Sequence, residues 1–221
     1  MALSENPARK RSRREREREA HRRTMLEAAE RVFVRKGYRE AAVEEIAQEA
    51  EFSVGTLYNF FKNKEDLYAQ VAEKIAQDFL EAFEGRVLSR HDPAEAIGAL
   101  IELRLTHFED HRGFFRVFFE TSPSSRFDPA GALPESCLGL YDRYVDTVTG
   151  LFREGVEQGQ FDRIDPLFLT LSLEGILNAF VAYWSKREPT EPLAVLVTKM
   201  KRDFLGRLKV RLSGPDDAAQ R

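Results

Sequence analysis

The chain has 221 residues and a mass of 25.4 kDa, with 43% hydrophobic and 32% charged residues. That composition excludes collagen-like, low-complexity and wholly disordered chains and allows one large domain or two small ones. A single cysteine, Cys137, excludes an intrachain disulfide and fits a reducing, cytoplasmic compartment. The formal net charge of −3 is unevenly spread: residues 1–23 hold nine Lys/Arg against four Asp/Glu, residues 24–68 six against nine, and residues 69–221 nineteen against 24. A basic arm before an acidic body suits a front end that meets polyanions, with a solvated tail as the alternative. No apolar run follows the N-terminal basic residues, so a secretory signal is not expected.

Ser12 and Glu15 have capping-box spacing, which predicts a first helix from Ser12. Met25, Leu26, Ala29, Val32 and Phe33 continue it at helical spacing, and Gly37 is the expected left-handed C-cap after Lys36. Val43, Ile46, Ala47 and Ala50 then form one face of a short helix, and Val54, Leu57, Tyr58 and Phe61 one face of another. Ser53 between them is a favourable N-cap. Two short amphipathic helices joined by a tight turn make a helix-turn-helix, although any helical hairpin gives the same spacing.

The outward face of the second short helix carries Gly55, Thr56, Asn59 and Phe60. Glycine inside a helix costs about 1 kcal/mol relative to alanine. Close approach to a nucleic-acid surface is a reason to accept that cost, and major-groove docking leads with this end of the helix. Lys62 and Lys64 follow, placed for phosphates.

The run Val43-Glu44-Glu45-Ile46-Ala47, followed by Ser53-Val54-Gly55-Thr56-Leu57-Tyr58-Asn59-Phe60-Phe61-Lys62-Asn63-Lys64-Glu65-Asp66-Leu67, closely resembles the DNA-binding domain of the tetracycline-repressor (TetR/AcrR) family of bacterial regulators. The resemblance is strong over residues 24–70 and general elsewhere. It implies a three-helix DNA-binding domain on an all-helical ligand-binding and dimerisation domain, acting as a dimeric repressor that leaves DNA when a small molecule binds. On this chain it implies a recognition helix from Ser53 to Phe61. Val54, Gly55, Thr56 and Asn59 would face bases or adjoining backbone, and Tyr58 would pack and reach a phosphate. Lys64 would contact phosphate.

Three positions depart from the family pattern. Glu51 replaces the turn glycine, so a reshaped turn is expected. Ala42 replaces the threonine that opens the second helix, which removes a phosphate contact. Phe60 replaces a phosphate-bonding His or Tyr, and the basic arm is expected to compensate by long-range attraction.

Beyond residue 64 the pattern predicts helices over 64–88, from Pro93 to Asp110, 113–120, 135–158, 166–186 and 192–212, with a loop over 122–133. The fold class is therefore all-α with about nine helices. Its division is a basic arm over 1–11, a helix-turn-helix DNA-binding domain over 12–68, a ligand-binding and dimerisation domain over 69–213, and a flexible tail over 214–221. Leu167 to Trp184 contains 18 residues and one charge, Glu174. That approaches the length of a membrane span, but Glu174, Asn178, Thr170 and Ser172 argue for a packed dimer core instead.

The dimer interface is expected to use Leu173, Ile176, Phe180 and Trp184 on the eighth helix and Leu193, Val197, Met200, Phe204 and Leu208 on the ninth. An effector pocket is expected from Arg104, His107, Phe108, Phe115, Phe118, Tyr141, Tyr144, Phe168, Glu174 and Asn178. Glu174 and Asn178 share one helical face at i, i+4. A buried carboxylate needs a partner, and Arg104, His107 and Arg116 are the candidates by helix order. A register-fixing ion pair and a ligand-orienting pair both satisfy this pattern. His107 and His111 have zinc-capable spacing, but a histidine pair also suits a helix C-terminus, and no metal is assigned. No nucleophile motif, phosphate loop or dinucleotide fingerprint is present, so no catalytic residue or cofactor is expected. The expected partners are a near-palindromic double-stranded DNA operator, a second copy of the chain and a small molecule, without a membrane. The rivals are a regulator without an effector and a small helical enzyme or carrier.

Overall fold

A computed structural model of the chain describes residues 12–122, 135–187 and 190–208. The expectations for the 1–11 arm, the 122–133 loop beyond Ser122, the Cys137 side chain and the 214–221 tail lie outside the described residues. Nine helices and no strand occur among the described residues: α1 (Arg13–Glu40), α2 (Val43–Glu49), α3 (Val54–Tyr58), α4 (Lys64–Arg86), α5 (Pro93–Asp110), α6 (Arg112–Thr121), α7 (Glu135–Glu157), α8 (Pro166–Trp184) and α9 (Leu193–Leu208). The chain divides into two compact units, and the boundary falls inside α4, after Val71.

In the first unit, α1 begins at the expected capping box. Ser12 Oγ accepts from Glu15 N–H at 3.2 Å, and Ser12 N–H donates to Glu15 Oε2 at 2.7 Å. Gly37 breaks the long run of α1 at the expected place, after Lys36. Its φ of 79° and ψ of 164° kink the backbone, after which helical geometry resumes to Glu40. The end of α1 is instead capped at Ala41, whose N–H returns to the Gly37 carbonyl. The core of this unit takes Met25, Leu26, Val32 and Phe33 from α1, Ile46 and Ala47 from α2, Leu57 from α3, and Phe61, Leu67 and Val71. Arg31, Arg35 and Lys36 of α1 hold Glu45 and Glu49 of α2 at 2.6–2.9 Å. Hydrogen bonds from Lys36 and Arg35 keep the Glu45 carboxyl below its ordinary range, and bonds from Arg35 and Arg31 do the same for Glu49. Such exposed pairs add little stability.

In the second unit, α5 packs against α6, α7, α8 and α9. Asp92 caps α5 and Asp165 caps α8, each followed by proline at the first helical position. The main core joins Phe83, Ile97, Leu100, Ile101, Val148, Phe152, Phe161, Leu173 and Leu177. Gly155 lets the Phe161 ring approach α7, since a Cβ there would lie 2.3 Å from the ring. Arg112, at the start of α6, donates to the Trp184 carbonyl at 3.1 Å and to the Arg187 carbonyl, closing the end of α8. By length and composition α8 is the one described helix able to cross a membrane. Here its inward face, with Leu169, Thr170, Leu173, Glu174, Leu177 and Val181, is buried in the helical body.

Candidate DNA-reading helix and effector cavity

The turn between α2 and α3 keeps the geometry that a glycine would give it. Glu51 has a φ of 61°. Phe52 N–H returns to the Ala47 carbonyl at 2.9 Å and Glu51 N–H to the Gln48 carbonyl at 3.0 Å, the two bonds of a Schellman cap. The expected reshaping does not occur, because these bonds hold the non-glycine residue in a left-handed conformation. Ala42 caps α2 without any side-chain bond, so the departure there removes a cap hydroxyl.

Ser53 Oγ accepts from Thr56 N–H at 3.0 Å and lies 2.8 Å from Thr56 Oγ1. The α-helix is shorter than the expected Ser53 to Phe61 and ends at Tyr58. Its outer surface presents Gly55 and Asn59, both exposed, and Tyr58, 49% exposed. No atom lies near the position of a Gly55 Cβ except Ser53 Oγ at 3.9 Å. Backbone approach is therefore unobstructed. Val54 and Thr56 are half-buried and Lys62 is exposed.

Lys64, expected to contact phosphate, holds the end of α1. Its ammonium donates to the Arg39 and Ala41 carbonyls, both at 3.1 Å, and lies 5.0 Å from the centre of the Tyr38 ring. These carbonyls are the open acceptors at the end of α1, and a cation there also suits the helix dipole. Sequence spacing gives no sign of two further contacts. Arg18 lies over the Phe60 ring at 5.3 Å. Arg22 donates to Gln70 Oε1 at 2.6 Å, and Gln70 in turn donates to Asp66.

The 72–221 unit contains a half-open cavity of about 160 Å³ between α4, α5, α6, α7 and α8. It gathers nine of the ten residues expected of an effector pocket: Arg104, His107, Phe108, Phe115, Phe118, Tyr141, Tyr144, Glu174 and Asn178. Phe168 is the exception. It is 63% exposed on α8 and borders a different groove, because it precedes by one residue the inward row of Leu169, Leu173 and Leu177. Ile75 and Phe79 of α4 form one cavity wall, and Phe114, Phe119, Leu140 and Val181 also line it.

Four polar groups meet there. Tyr144 Oη donates to Glu174 Oε1 at 2.5 Å, Arg104 lies 3.3 Å from Glu174 Oε2, and Arg104 donates to Asn178 Oδ1 at 2.7 Å. Arg104 is thus the partner of Glu174, while Arg116 is exposed. Burial works against the Arg104 charge, but Glu174, Tyr144 and Tyr141 outweigh it and raise its pKa. Burial and the Glu174 charge push the Tyr144 phenol well above its ordinary range. His107 is pushed down to about 4 by burial and by the neighbouring His111 and Arg104. It is neutral near pH 7. Among the described residues no cluster of three or more candidate metal ligands occurs.

A second groove lies between α8 and α9. Of the residues expected at a dimer interface, Ile176, Phe180, Trp184, Met200, Phe204 and Leu208 line it. Leu173 and Val197 do not. Both are buried in the core, as part of the inward faces of their helices, and Leu193 packs half-buried against the same core. Exposed Leu167, Phe168, Leu171 and Tyr183 widen the apolar surface of α8 beyond the expected stripe.

Residues 25–71 match the sequence profile of bacterial regulatory proteins of the tetR family. The fatty acid metabolism regulator protein of Bacillus subtilis is 23% identical over 173 residues, covering 78% of this chain and 87% of that protein. Two solved structures share the fold. The transcriptional regulator FadR from Bacillus subtilis in complex with stearoyl-CoA has a TM-score of 0.67 and 18% identity, covering 84% of this chain and 98% of that one. AibR in complex with isovaleryl coenzyme A and operator DNA has a TM-score of 0.64 and 21% identity, covering 83% and 97%. Residues 25–71, from α1 to α4, thus carry the DNA-binding domain of the tetR family of bacterial regulatory proteins, and over most of its length the chain shares the fold of solved transcriptional regulators.

Proposed function

We propose that this regulator is a cytoplasmic, homodimeric repressor that leaves its operator when a small molecule enters the aromatic cavity of the 72–221 unit. The observation that carries the proposal is the cavity itself, an apolar enclosure whose few polar groups converge from α5, α7 and α8. The acyl-CoA complexes of FadR and AibR support an acyl-bearing effector. Ala72, Ile75, Ala76, Phe79 and Leu80 of α4 form one wall, and the same helix begins at Lys64. An effector that moves this wall displaces a helix whose first turn lies in the DNA-binding unit.

The arrangement supports binding rather than catalysis: Tyr144 and Arg104 are engaged with Glu174 and Asn178 with Arg104, and among the described residues no hydrogen bond from a base activates a nucleophile in the cavity. Exposed Ile176, Phe180, Phe168, Leu171 and Tyr183 form an apolar surface larger than isolated exposed residues account for, and a second copy of α8 and α9 would cover it. Two reading helices on a two-fold dimer would contact half-sites about one DNA turn, ~34–36 Å, apart.

Unbiased binding-site selection with the full chain, followed by sequencing, tests this proposal. A near-palindrome should emerge, and isovaleryl-CoA or another short acyl thioester should release it in a bandshift. Recovery of no preferred sequence would remove the operator reading. Release by no acyl compound would redirect the effector class.

A further inference from the structure

The first turns of α1 precede the matched residues 25–71, and they are braced against the helix-turn-helix. The His21 ring lies 5.0 Å from the ring of Phe52, in the turn between α2 and α3. Arg22 donates to Gln70 Oε1 at 2.6 Å, Gln70 donates to Asp66 Oδ1, and Asp66 Oδ2 accepts the backbone N–H of Lys62. One helical turn before Arg22, the Arg18 guanidinium lies over the Phe60 ring, 5.3 Å from its centre. Phe60 stands just beyond the end of α3 at Tyr58. It is half-buried beside the buried Phe61, with ring centres 6.3 Å apart, so the platform under Arg18 is anchored in the core.

Arg18 itself is exposed. Among the described residues the ion pairs of this stretch join Arg13 to Glu17 and Arg23 to Glu27, and none takes Arg18. A guanidinium stacked by its face keeps the N–H donors of its plane open. The ring also narrows the positions of a long side chain before a ligand arrives, which lowers the ordering cost of binding. The location suits one ligand. α3 spans five residues, about 7.5 Å, and a major groove is about 12 Å wide. Groups just past the end of α3 therefore reach the phosphates that wall the groove receiving it.

We propose that Arg18, stacked on Phe60, is a phosphate-binding residue for operator DNA. Phe60 is its positioning residue: its side chain has no hydrogen-bonding group, and it supplies the platform on which α1 presents the donor. The proposal rests on the reading of α2 and α3 as a DNA-binding unit. It adds a directed contact where the charge of the N-terminal stretch alone gives only long-range attraction. A phosphate carries no sequence information, so the contact adds affinity on every duplex alike.

Fluorescence anisotropy with the full chain, over a range of salt concentrations, tests it on two duplexes of equal length: the one recovered by site selection and an unrelated one. Arg18→Ala should weaken both complexes about tenfold at low salt, the equivalent of one charge-assisted hydrogen bond, and reduce the salt slope by about one. Phe60→Leu keeps an apolar side chain and removes the ring. It should cost about threefold in the wild-type background and nothing further once Arg18 is alanine. Arg18→Lys keeps the charge but loses the planar, stacking fork. It should keep the salt slope while losing about threefold in affinity, and it tests the platform even if Phe60→Leu fails to fold.

Wild-type affinity and salt slope in Arg18→Ala, whatever its Tm, make the pair a packing contact and overturn the proposal while leaving operator binding in place. A changed sequence preference moves Arg18 to a base edge and overturns the phosphate assignment. Arg18→Lys with wild-type affinity, or a full Phe60→Leu loss in the Arg18→Ala background, overturns the platform. A wild-type chain that binds neither duplex overturns the DNA-binding reading as well.

Discussion

Tyr144 of α7 donates its hydroxyl to Glu174 of α8 at 2.5 Å, and both residues are buried in the cavity wall. Tyr144→Phe removes that donor and leaves a carboxylate oxygen without its bond. The expected cost is about 1–3 kcal/mol of folding stability, read as a lower Tm or denaturant midpoint. Unchanged stability would show that water replaces the phenol without cost.

Glu51 holds a φ of 61° at the turn of the helix-turn-helix. The left-handed conformation costs an L-residue roughly 1–2 kcal/mol, and glycine adopts it freely. Glu51→Gly should therefore stabilise the chain by about 1 kcal/mol in urea unfolding, because the Schellman bonds are backbone bonds and persist. A loss of stability would mean that the Glu51 side chain contributes more than the strain.

Lys64 ties its ammonium to the last turn of α1, whereas Lys62 is exposed, with its backbone N–H donating to Asp66 Oδ2 at 2.7 Å. Lys64→Ala should lower both Tm and DNA affinity, the latter on all sequences alike. Lys62→Ala should leave Tm unchanged and reduce the salt slope of DNA binding by about one. A Lys64→Ala variant with wild-type Tm would return that residue to a purely phosphate-binding role.

His107 is lowered from 6.5 to about 4. The unfolded chain therefore binds a proton below about pH 6.5 that the folded chain refuses until about pH 4. Stability from this residue is complete above pH 6.5, falls as pH drops through that window, and levels off below it. His107→Gln should flatten the dependence of Tm on pH between 6.5 and 4. An equally steep slope in the variant would assign the effect to other groups.

Phe180 is 36% exposed on α8 and lies against Trp184 in a tilted arrangement, with ring centres 4.7 Å apart. In a dimer through α8 and α9 this position becomes buried, and Phe180→Glu would place an unpaired charge there. Sedimentation should show a dimer for the wild type and a folded monomer with weakened operator binding for the variant. A stable dimer from Phe180→Glu would move the interface elsewhere.

Local sequence determined the elements of this chain. The capping box of Ser12 and Glu15, the Asp92-Pro93 and Asp165-Pro166 starts and the two short stripes around Ser53 all act over three or four residues, so spacing alone reveals them. Gly37, non-helical at a φ of 79°, breaks α1 where its residue type predicts, and only the short helical stretch that resumes beyond it to Glu40 leaves no mark in the spacing. Tertiary structure decided what spacing leaves free. Periodicity fixes the angle between Leu173 and Ile176 on α8, but the rotation of α8 against its neighbours decides that Leu173 is core and Ile176 is surface. Periodicity likewise puts Glu174 and Asn178 on one side, but Arg104 becomes their partner, and Arg116 does not, through packing of helices more than 70 residues apart in sequence. The same holds for Lys64, whose two acceptors lie 23 and 25 residues earlier. A helix's own sequence sets which residues share a face; only the volumes and charges of the helices packed against it settle where that face points.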